Sequence, residues 1–557
     1  MDRDLKSLVL EVVGLGEVVA GSRADREVAT RIREYVEGLG LSVEVHSFPS
    51  ASWKEEGVEL LVDGVRVDAI AMPNSPSGYV EGELVHMGEG YKVDEMEGRV
   101  ALACMHRDDP DYAVAQYTIA LMGGASGVVF YDAYPEVLRR IVICVLTSYL
   151  EGPGVPPPIP AVAIKREVGL RLAKRGGYVQ LQVKTRYSDS AISYNVVAYS
   201  SDRIKVLVTA HYDRWLTGAG DNSIGVALAL SLAEKMRELN NTAFAMIGAE
   251  EYGAPHYTPW YWLWGSRNYV RELRERGELE ELVAVINLDL PVRRPLTVSA
   301  SGPEYREAVR CLLGESLEYE LDSPYFDSFS FSSKGIPALT LHGMWKYLEF
   351  YHTDKDDLDA VDWNAVVEAG EYAARIVRKV REKERGFFKY EAWREELLSI
   401  LARAAEFSRP PSSLIDLVKS LEVDERTARV LRSKLIKVVA RGGLLAPGIF
   451  FTVLAPQFLI LDDLEAIERA LNSDRETAIE TLKELKPPRW MPGEEVLLPH
   501  LDLRPVERFV ERAEWSVAKE YLAEVKRLAV QWLDRIYDEL LREIEGAVQA
   551  GDYEQYS

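Results

Sequence analysis

The chain has 557 residues, too many for one comfortable core, so about two to four domains are expected. Its 89 acidic residues outnumber 66 basic ones, and the net charge of -23 argues against broad affinity for nucleic-acid phosphate or an anionic membrane surface. No apolar stretch approaches the roughly 20 residues that span a bilayer, and MDRDLKSLVLEVVGLGE is acidic where a secretory signal would be basic, so a cytoplasmic location is the default expectation.

In chain order, Ser22 can cap a helix whose Val28, Ile32, Tyr35 and Leu39 form one apolar face, and Gly38 and Gly40 close it before the strand-like LSVEVHSF. From about residue 70 to 190 the texture changes to short β-rich runs punctuated by Gly and Pro. GRVALACM, the helical AVAQYTIALM, GVVFY and IPAVAI follow one another there and read as a separately folded β-rich insert. Cys104, Cys144 and Cys311 lie far apart without CxxC spacing and read as small buried apolar groups, not as a zinc knuckle or a disulfide framework.

Beyond the insert, strands alternate with helices. IKVLVTA (204–210), TAFAMIGA (242–249), VAVINLD (283–289) and IPALTLH read as buried strands, while the run from Ile224 to Leu239, GSRNYVRELRERG and VVEAGEYAARIVRKV read as helices. Such alternation predicts an α/β fold with a mostly parallel core sheet flanked by helices, built from residues 1–69 and 191–385 around the 70–190 insert. Residues 386–557 turn helical, with a Pro-rich break at KPPRWMPG (486–493). The stripe Ala518, Leu522, Val525, Trp532, Ile536 and Leu540 needs a partner surface, either the core of its own domain or a homodimer interface. A faint helix-turn-helix look around LIDLVKSLEVDERTARVLRSKL is outweighed by the surrounding acidity.

Ligands of open α/β sheets gather outside the carboxyl ends of the strands, and the chemistry-bearing residues fall there. His211 and Asp213 end one strand, Asp221 and Asn222 precede the next helix, Glu250 and Glu251 follow a second strand, Asp289 ends a third, and His352 lies in FYHTDKDD. Singly, a strand-end histidine is usually a satisfied loop residue and an Asp before a helix usually a cap. Capping does not explain two adjacent carboxylates after an apolar strand, and the shared edge argues for one site. Two histidines with several carboxylates and no cysteine suit Zn²⁺, Co²⁺ or Mn²⁺. Two such ions would share one carboxylate, and one acid would have to stay off the metals as a base.

The ordered set HYD (211–213), DNSIG (221–225), EE (250–251), GSRNY (265–269), NLD (287–289) and YHTDKD (351–356) resembles the co-catalytic di-zinc peptidases that include bacterial aminopeptidases and glutamate carboxypeptidase, along with the related transferrin receptor. The resemblance implies two Zn²⁺, with His211 and Asp289 on one, Glu251 and His352 on the other, and Asp221 bridging. It further implies Glu250 as general base, Asp213 orienting His211, Tyr351 donating to the oxyanion, and Asp356 supporting His352. Residues 70–190 look like the family's protease-associated domain, a lid that shapes access. The C-terminal segment resembles a dimerisation domain in position only.

Two stretches depart from the family. The aromatic loop YGAPHYTPWYWLW (252–264) could line a side-chain pocket, pack on the insert or a second subunit, or be buried locally for stability, and His256 could contact substrate, though a loop histidine satisfied by backbone is its plainer reading. LDSPYFDSFSFSSKGIPAL carries Ser328 beside Asp327 where relatives have His. The reaction implied is aminopeptidase-like hydrolysis of short peptides. Arg214, Arg293 and Arg294 keep a carboxypeptidase or N-acyl amino acid hydrolase open, though surface salt bridging is their plainer use. The complete ligand set argues against a one-metal glutaminyl cyclase and against a receptor-like interaction protein.

Overall fold

Local chemistry sets where the elements begin. The helix Arg23–Gly38 starts at Ser22, whose Oγ accepts the Asp25 amide at 3.1 Å, and buries Val28, Ile32 and Val36. The helix Trp264–Glu275 starts where only a glycine fits, because a Cβ on Gly265 would lie 1.7 Å from the Gly248 carbonyl oxygen. A computed structural model describes residues 13–88, 95–145, 153–199, 203–440, 454–483 and 512–553, with isolated positions beside these stretches.

The strands, in chain order, are β1 (Ser42–Val62), β2 (Val65–Val67), β3 (Ala69–Ala71), β4 (Gly78–His86), β5 (Val100–Cys104), β6 (Gly127–Tyr131), β7 (Ala161–Ile164), β8 (Tyr178–Tyr199), β9 (Val206–His211), β10 (Thr242–Ile247), β11 (Ala284–Leu288), β12 (Thr297–Ala300), β13 (Glu318–Leu321) and β14 (Ala338–His342). The core runs β13-β12-β14-β11-β9-β10-β8, with β10, β9, β11 and β14 parallel, β12 antiparallel to β14, and β8 antiparallel to β10. Both faces are covered, and the two-residue period of the strands shows it. Val206, Val208, Ala210, Phe244 and Met246 face the helices Ile224–Met236 and Trp363–Lys383, while Leu207, Ala243, Ala245 and Ile247 face the helix Trp264–Glu275. The predicted α/β core is present, with every strand and helix named above at its place.

The ribbon β1/β8 is longer than LSVEVHSF suggested. β8 pairs with β10 through Val196–Tyr199 and with β4 through Tyr178–Val183, so one strand belongs to the core sheet at one end and to the 70–190 segment at the other. In that segment β4, β5, β6 and β7 are parallel neighbours, with the helix Ala113–Met122 packed on one face and the helix Arg166–Arg175 on the other.

Past residue 386 the chain is helical, and its apolar faces close on one another. Ala518, Leu522, Val525, Ile536 and Leu540 of the helix Trp515–Tyr553 are buried among Leu397, Leu401, Leu414, Leu431, Leu464 and Ile467. The stripe thus serves its own helical cluster. The side chain of Trp532 and the break at 486–493 lie outside the described residues. The helices Ser412–Ser420 and Glu425–Ala440, the faint helix-turn-helix, bury Leu414, Val418, Ala428 and Leu431 in the same cluster. Among the described residues no helix is long and apolar enough to cross a membrane. None of the three cysteines forms a disulfide, but only Cys144 fits the expectation of burial; Cys104 is half-buried, and Cys311 is exposed beside Glu307.

Candidate active site

Parallel register brings the strand ends together. Ile247 pairs with His211 and Asn287 with Thr209, so the loops after β9, β10 and β11 leave from one edge. Beneath that edge Thr209 donates to Asn287 Oδ1 at 2.8 Å, and Asn287 Nδ2 reaches Thr340 Oγ1 at 3.2 Å, which ties β9, β11 and β14. Asn222 then joins two loops: its Nδ2 donates to the Leu288 carbonyl at 2.8 Å and its Oδ1 accepts the Leu290 amide at 3.2 Å. The Asp221–Asn222 peptide is cis.

On this frame Asp221 stands between two histidines. Its Oδ1 lies 3.2 Å from His211 Nε2 and its Oδ2 3.3 Å from His352 Nε2. Asp289 Oδ1 is 3.3 Å from His211 Nε2, and Glu251 Oε2 is 2.7 Å from His352 Nε2. Glu250 Oε2 approaches His211 Nε2 only to 3.9 Å. His211, Asp221 and Asp289 form one buried triad able to hold a metal ion, and Asp221, Glu251 and His352 a second, the donor atoms of each lying within 4.8 Å of one another. His211 groups with Glu250 and Glu251 in a third.

The electrostatics fit cations. Burial works to lower both imidazoles, yet the charges of Asp289 and Glu250 hold His211 well above its ordinary value, and Glu251 and Asp221 lift His352 to about 10. Burial raises Glu251 to about 8 and Glu250 well above the carboxylate range, against the pull of His352 and His211 respectively. Asp221 goes the other way, because its hydrogen bonds to His211 and His352 outweigh burial. The carboxylates outnumber the imidazoles, and buried polar atoms are left over: His352 Nδ1 and Glu251 Oε1 make no hydrogen bond. Imidazole nitrogens and carboxylate oxygens in this number suit a pair of divalent ions.

The surrounding residues hold some surprises. Asp213 does not reach His211 with its carboxylate, which stays 3.7 Å from Nδ1; the Asp213 backbone carbonyl pairs with that nitrogen instead, at 3.0 Å. The carboxylate accepts the amides of Glu250 and Glu251, each at 3.0 Å, and so sets the glutamate pair. Asp356 accepts the amides of Gly220 (2.6 Å) and Asp221 (3.0 Å) and the Tyr347 hydroxyl (2.7 Å), so it holds the Asp221 loop, not His352. Tyr351 stacks on the His352 ring at 3.6 Å, and its hydroxyl lies 3.4 Å from Asp111 Oδ2, a residue of the 70–190 segment.

Ser328 is buried, donating to Asp322 at 2.7 Å and pairing with Thr340 at 2.7 Å. In the aromatic loop Tyr252 donates to Asn74 at 2.6 Å and packs on Trp215, which in turn meets Trp53, so this end fills the junction with the β1/β8 ribbon and the 70–190 segment. Half-buried Trp262 donates to the Pro324 carbonyl at 2.7 Å. His256 is exposed and pairs with Asp189 at 3.4 Å. Arg214, expected at the surface, is buried and donates to the Tyr212 carbonyl at 3.2 Å. Arg293 lies over the rings of Tyr347 and Phe350, and Arg294 pairs with Asp362 at 2.8 Å.

Arg139 is the residue that sequence reasoning passed over. It is buried, paired with Asp132 at 2.6 Å, and donates to the Tyr351 carbonyl beside His352. The signal was present in LRRIVICV, because two consecutive arginines in an apolar run must find buried acceptors.

Residues 195–377 match Peptidase family M28. The fold is similar to that of a zinc aminopeptidase from Bacillus subtilis, at 22% identity and a TM-score of 0.54 over 69% of this chain and 96% of that one. It is also similar to a peptidase M28 precursor from Shewanella amazonensis, at 18% identity and a TM-score of 0.55 over 67% of this chain and 92% of that one. No curated protein sequence matches the chain. The fold is that of an M28 peptidase, and its strand-end cluster is a di-metal metallopeptidase active site.

Proposed function

We propose that the protein is a two-zinc aminopeptidase that removes N-terminal residues from short peptides. The observation that carries this reading is Asp221, with one carboxylate oxygen toward each histidine, while Glu250 Oε2 is 3.9 Å from His211 Nε2. His211 and Asp289 would hold one ion, Glu251 and His352 the other, with Asp221 shared; Co²⁺ or Mn²⁺ would suit the same donors. Bound there, the ions supply polarisation of the scissile carbonyl and acidification of a water. Glu250 accepts the proton of the attacking water and returns it to the leaving amine. Asp213 holds Glu250 by its backbone amide, and Tyr351 turns its hydroxyl from Asp111 to the oxyanion as charge develops.

Two features favour an aminopeptidase over a carboxypeptidase or N-acyl amino acid hydrolase. The three arginines that could clamp a substrate carboxylate are engaged elsewhere, Arg214 in the interior, Arg293 on aromatic rings and Arg294 with Asp362. Burial raises Asp111 and Asp327 near the centre, and a cationic group such as a free α-amine would offset that cost by pairing with either carboxylate. A non-enzymatic receptor would have no use for the complete donor set. Residues 1–69 and 191–385 form the catalytic unit in this reading, 70–190 a protease-associated insert and 386–557 a helical unit. A homodimer would use a face of that unit other than the buried stripe.

The test is hydrolysis of free-amino, amino-blocked and carboxyl-blocked dipeptides by zinc-loaded and chelated protein. Free-amino and carboxyl-blocked substrates should turn over only with metal, and amino-blocked ones should resist. Equal hydrolysis of the amino-blocked substrate would refute the aminopeptidase assignment.

A further inference from the structure

His352 has a left-handed backbone, with φ at 57°, a conformation that residues other than glycine adopt only when their surroundings impose it. The loop that carries it contributes turns of its own: the Tyr351 amide donates to the Tyr347 carbonyl at 3.1 Å and the Thr353 amide to the Phe350 carbonyl at 3.0 Å. The first bond lies outside the two peptide planes that flank the His352 Cα, and the second steadies only the plane after it. Both planes are also held from the 70–190 segment. The plane before the Cα is held through its carbonyl, that of Tyr351, which accepts from the Arg139 guanidinium. The plane after it is held through the His352 carbonyl, which accepts the Arg140 amide at 3.0 Å. One residue further, Asp354 and Leu138 exchange two bonds, Asp354 N to the Leu138 carbonyl at 3.0 Å and Leu138 N to Asp354 Oδ1 at 2.9 Å. Arg139 and Thr353 form an antiparallel bridge between them.

Arg139 is itself fixed. Its Nε lies 2.6 Å from Asp132 Oδ2, and both side chains are buried, at 0% and 3% exposure. The pair neutralises its own charge and leaves Nη1 of the guanidinium to donate to the Tyr351 carbonyl.

We propose that Asp132, Arg139 and the Leu138–Arg140 backbone are positioning elements for the second metal ion: they impose the left-handed turn at His352 that aims its imidazole at Glu251 and Asp221. The 70–190 segment is then part of the metal centre's scaffold as well as a wall beside it. The inference rests on the reading of Asp221, Glu251 and His352 as metal ligands.

The test uses full-length protein carrying Arg139→Met or Arg139→Lys, with Asp354→Ala as a milder variant that removes only the acceptor of the Leu138 amide. Zn²⁺ per chain is measured across a series of buffered free Zn²⁺ concentrations, and folding is followed by circular dichroism. Wild type should bind two ions. Arg139→Met should bind the weaker of the two about 10–100-fold less tightly while the other is retained, as expected when a group orienting a metal ligand is lost. Arg139→Lys should recover part of the affinity, and Asp354→Ala should weaken the same ion by a smaller factor. A folded Arg139→Met that holds both ions as wild type does would overturn the proposal, as would equal weakening of both ions. Should Arg139→Met fail to fold, Asp354→Ala and Arg139→Lys decide, and wild-type affinity for both ions in those variants overturns it. Fewer than two ions in the wild type would instead remove the two-metal reading, and this inference with it.

Discussion

At the scale of single residues, the cluster was legible because His211, Glu251 and Asp289 lie where apolar strands of one parallel sheet run out, and the ordered motifs that add Asp221 and His352 resemble a known family. His211, Asp221, Glu251, Asp289 and His352 could therefore be read together from sequence, and the structure brings them together. What sequence could not supply was the use of each atom. Asp213 was expected to orient His211 by its carboxylate, but a histidine nitrogen is as well served by a backbone carbonyl, and the carboxylate is spent on the amides of Glu250 and Glu251. An amide side chain has one acceptor oxygen, so Asp213→Asn leaves one of those N–H groups without its partner. We expect kcat to fall about 10–100-fold with the metal count unchanged, as read from steady-state kinetics beside metal analysis. Asp356 shows the same limit, since proximity in sequence to His352 did not reveal that its oxygens serve Gly220 and Asp221.

At the scale of elements, long apolar runs were read directly and short or half-exposed ones were not. β12 and β13 have four residues each, too few for a period to emerge, and the charged stretch WKEEG hid the continuation of β1. The turn between β13 and the short helix Ser328–Ser332 hides a buried acid, Asp322, which accepts from Ser328 and Ser332. Burial lifts Asp322 to about 7, against the hydrogen bonds of both serines. The folded state therefore binds this proton more tightly than the unfolded chain does. The stabilisation is fully present below the unfolded value near pH 4 and is lost as pH rises through about 7. Asp322→Asn cannot ionise. In chelator, denaturant unfolding of that variant should vary less between pH 5 and pH 8 than that of wild type, whose stability should fall over the interval. An unchanged slope would show that Asp322 is ionised throughout.

At the scale of the molecule, the interest lies in how many parts meet at the centre. The β1/β8 ribbon runs from the core sheet into the 70–190 segment, and Leu138–Arg140 returns from that segment to the His352 loop. On the far side, Arg432 of the helix Glu425–Ala440 is buried against Glu304 and donates to the Gly335 carbonyl at 3.0 Å, which fastens the helical unit to the catalytic fold. Arg432→Met strands the Glu304 charge and should cost about 3–5 kcal/mol in unfolding free energy, while adding Glu304→Leu should restore much of it. Denaturation of the single and double variants checks both signs. The partners in these long-range contacts were not legible from sequence, because an arginine does not show which acceptor more than 100 positions away will bury it.

In the proposed di-metal centre Glu250 moves the proton without holding an ion. The most direct measurement is turnover of a free-amino dipeptide by Glu250→Gln alongside its metal content. Glu250→Gln should hold two ions per chain, as wild type should, with turnover reduced by at least about 100-fold. Wild-type turnover, or loss of the ions together with activity, would contradict it.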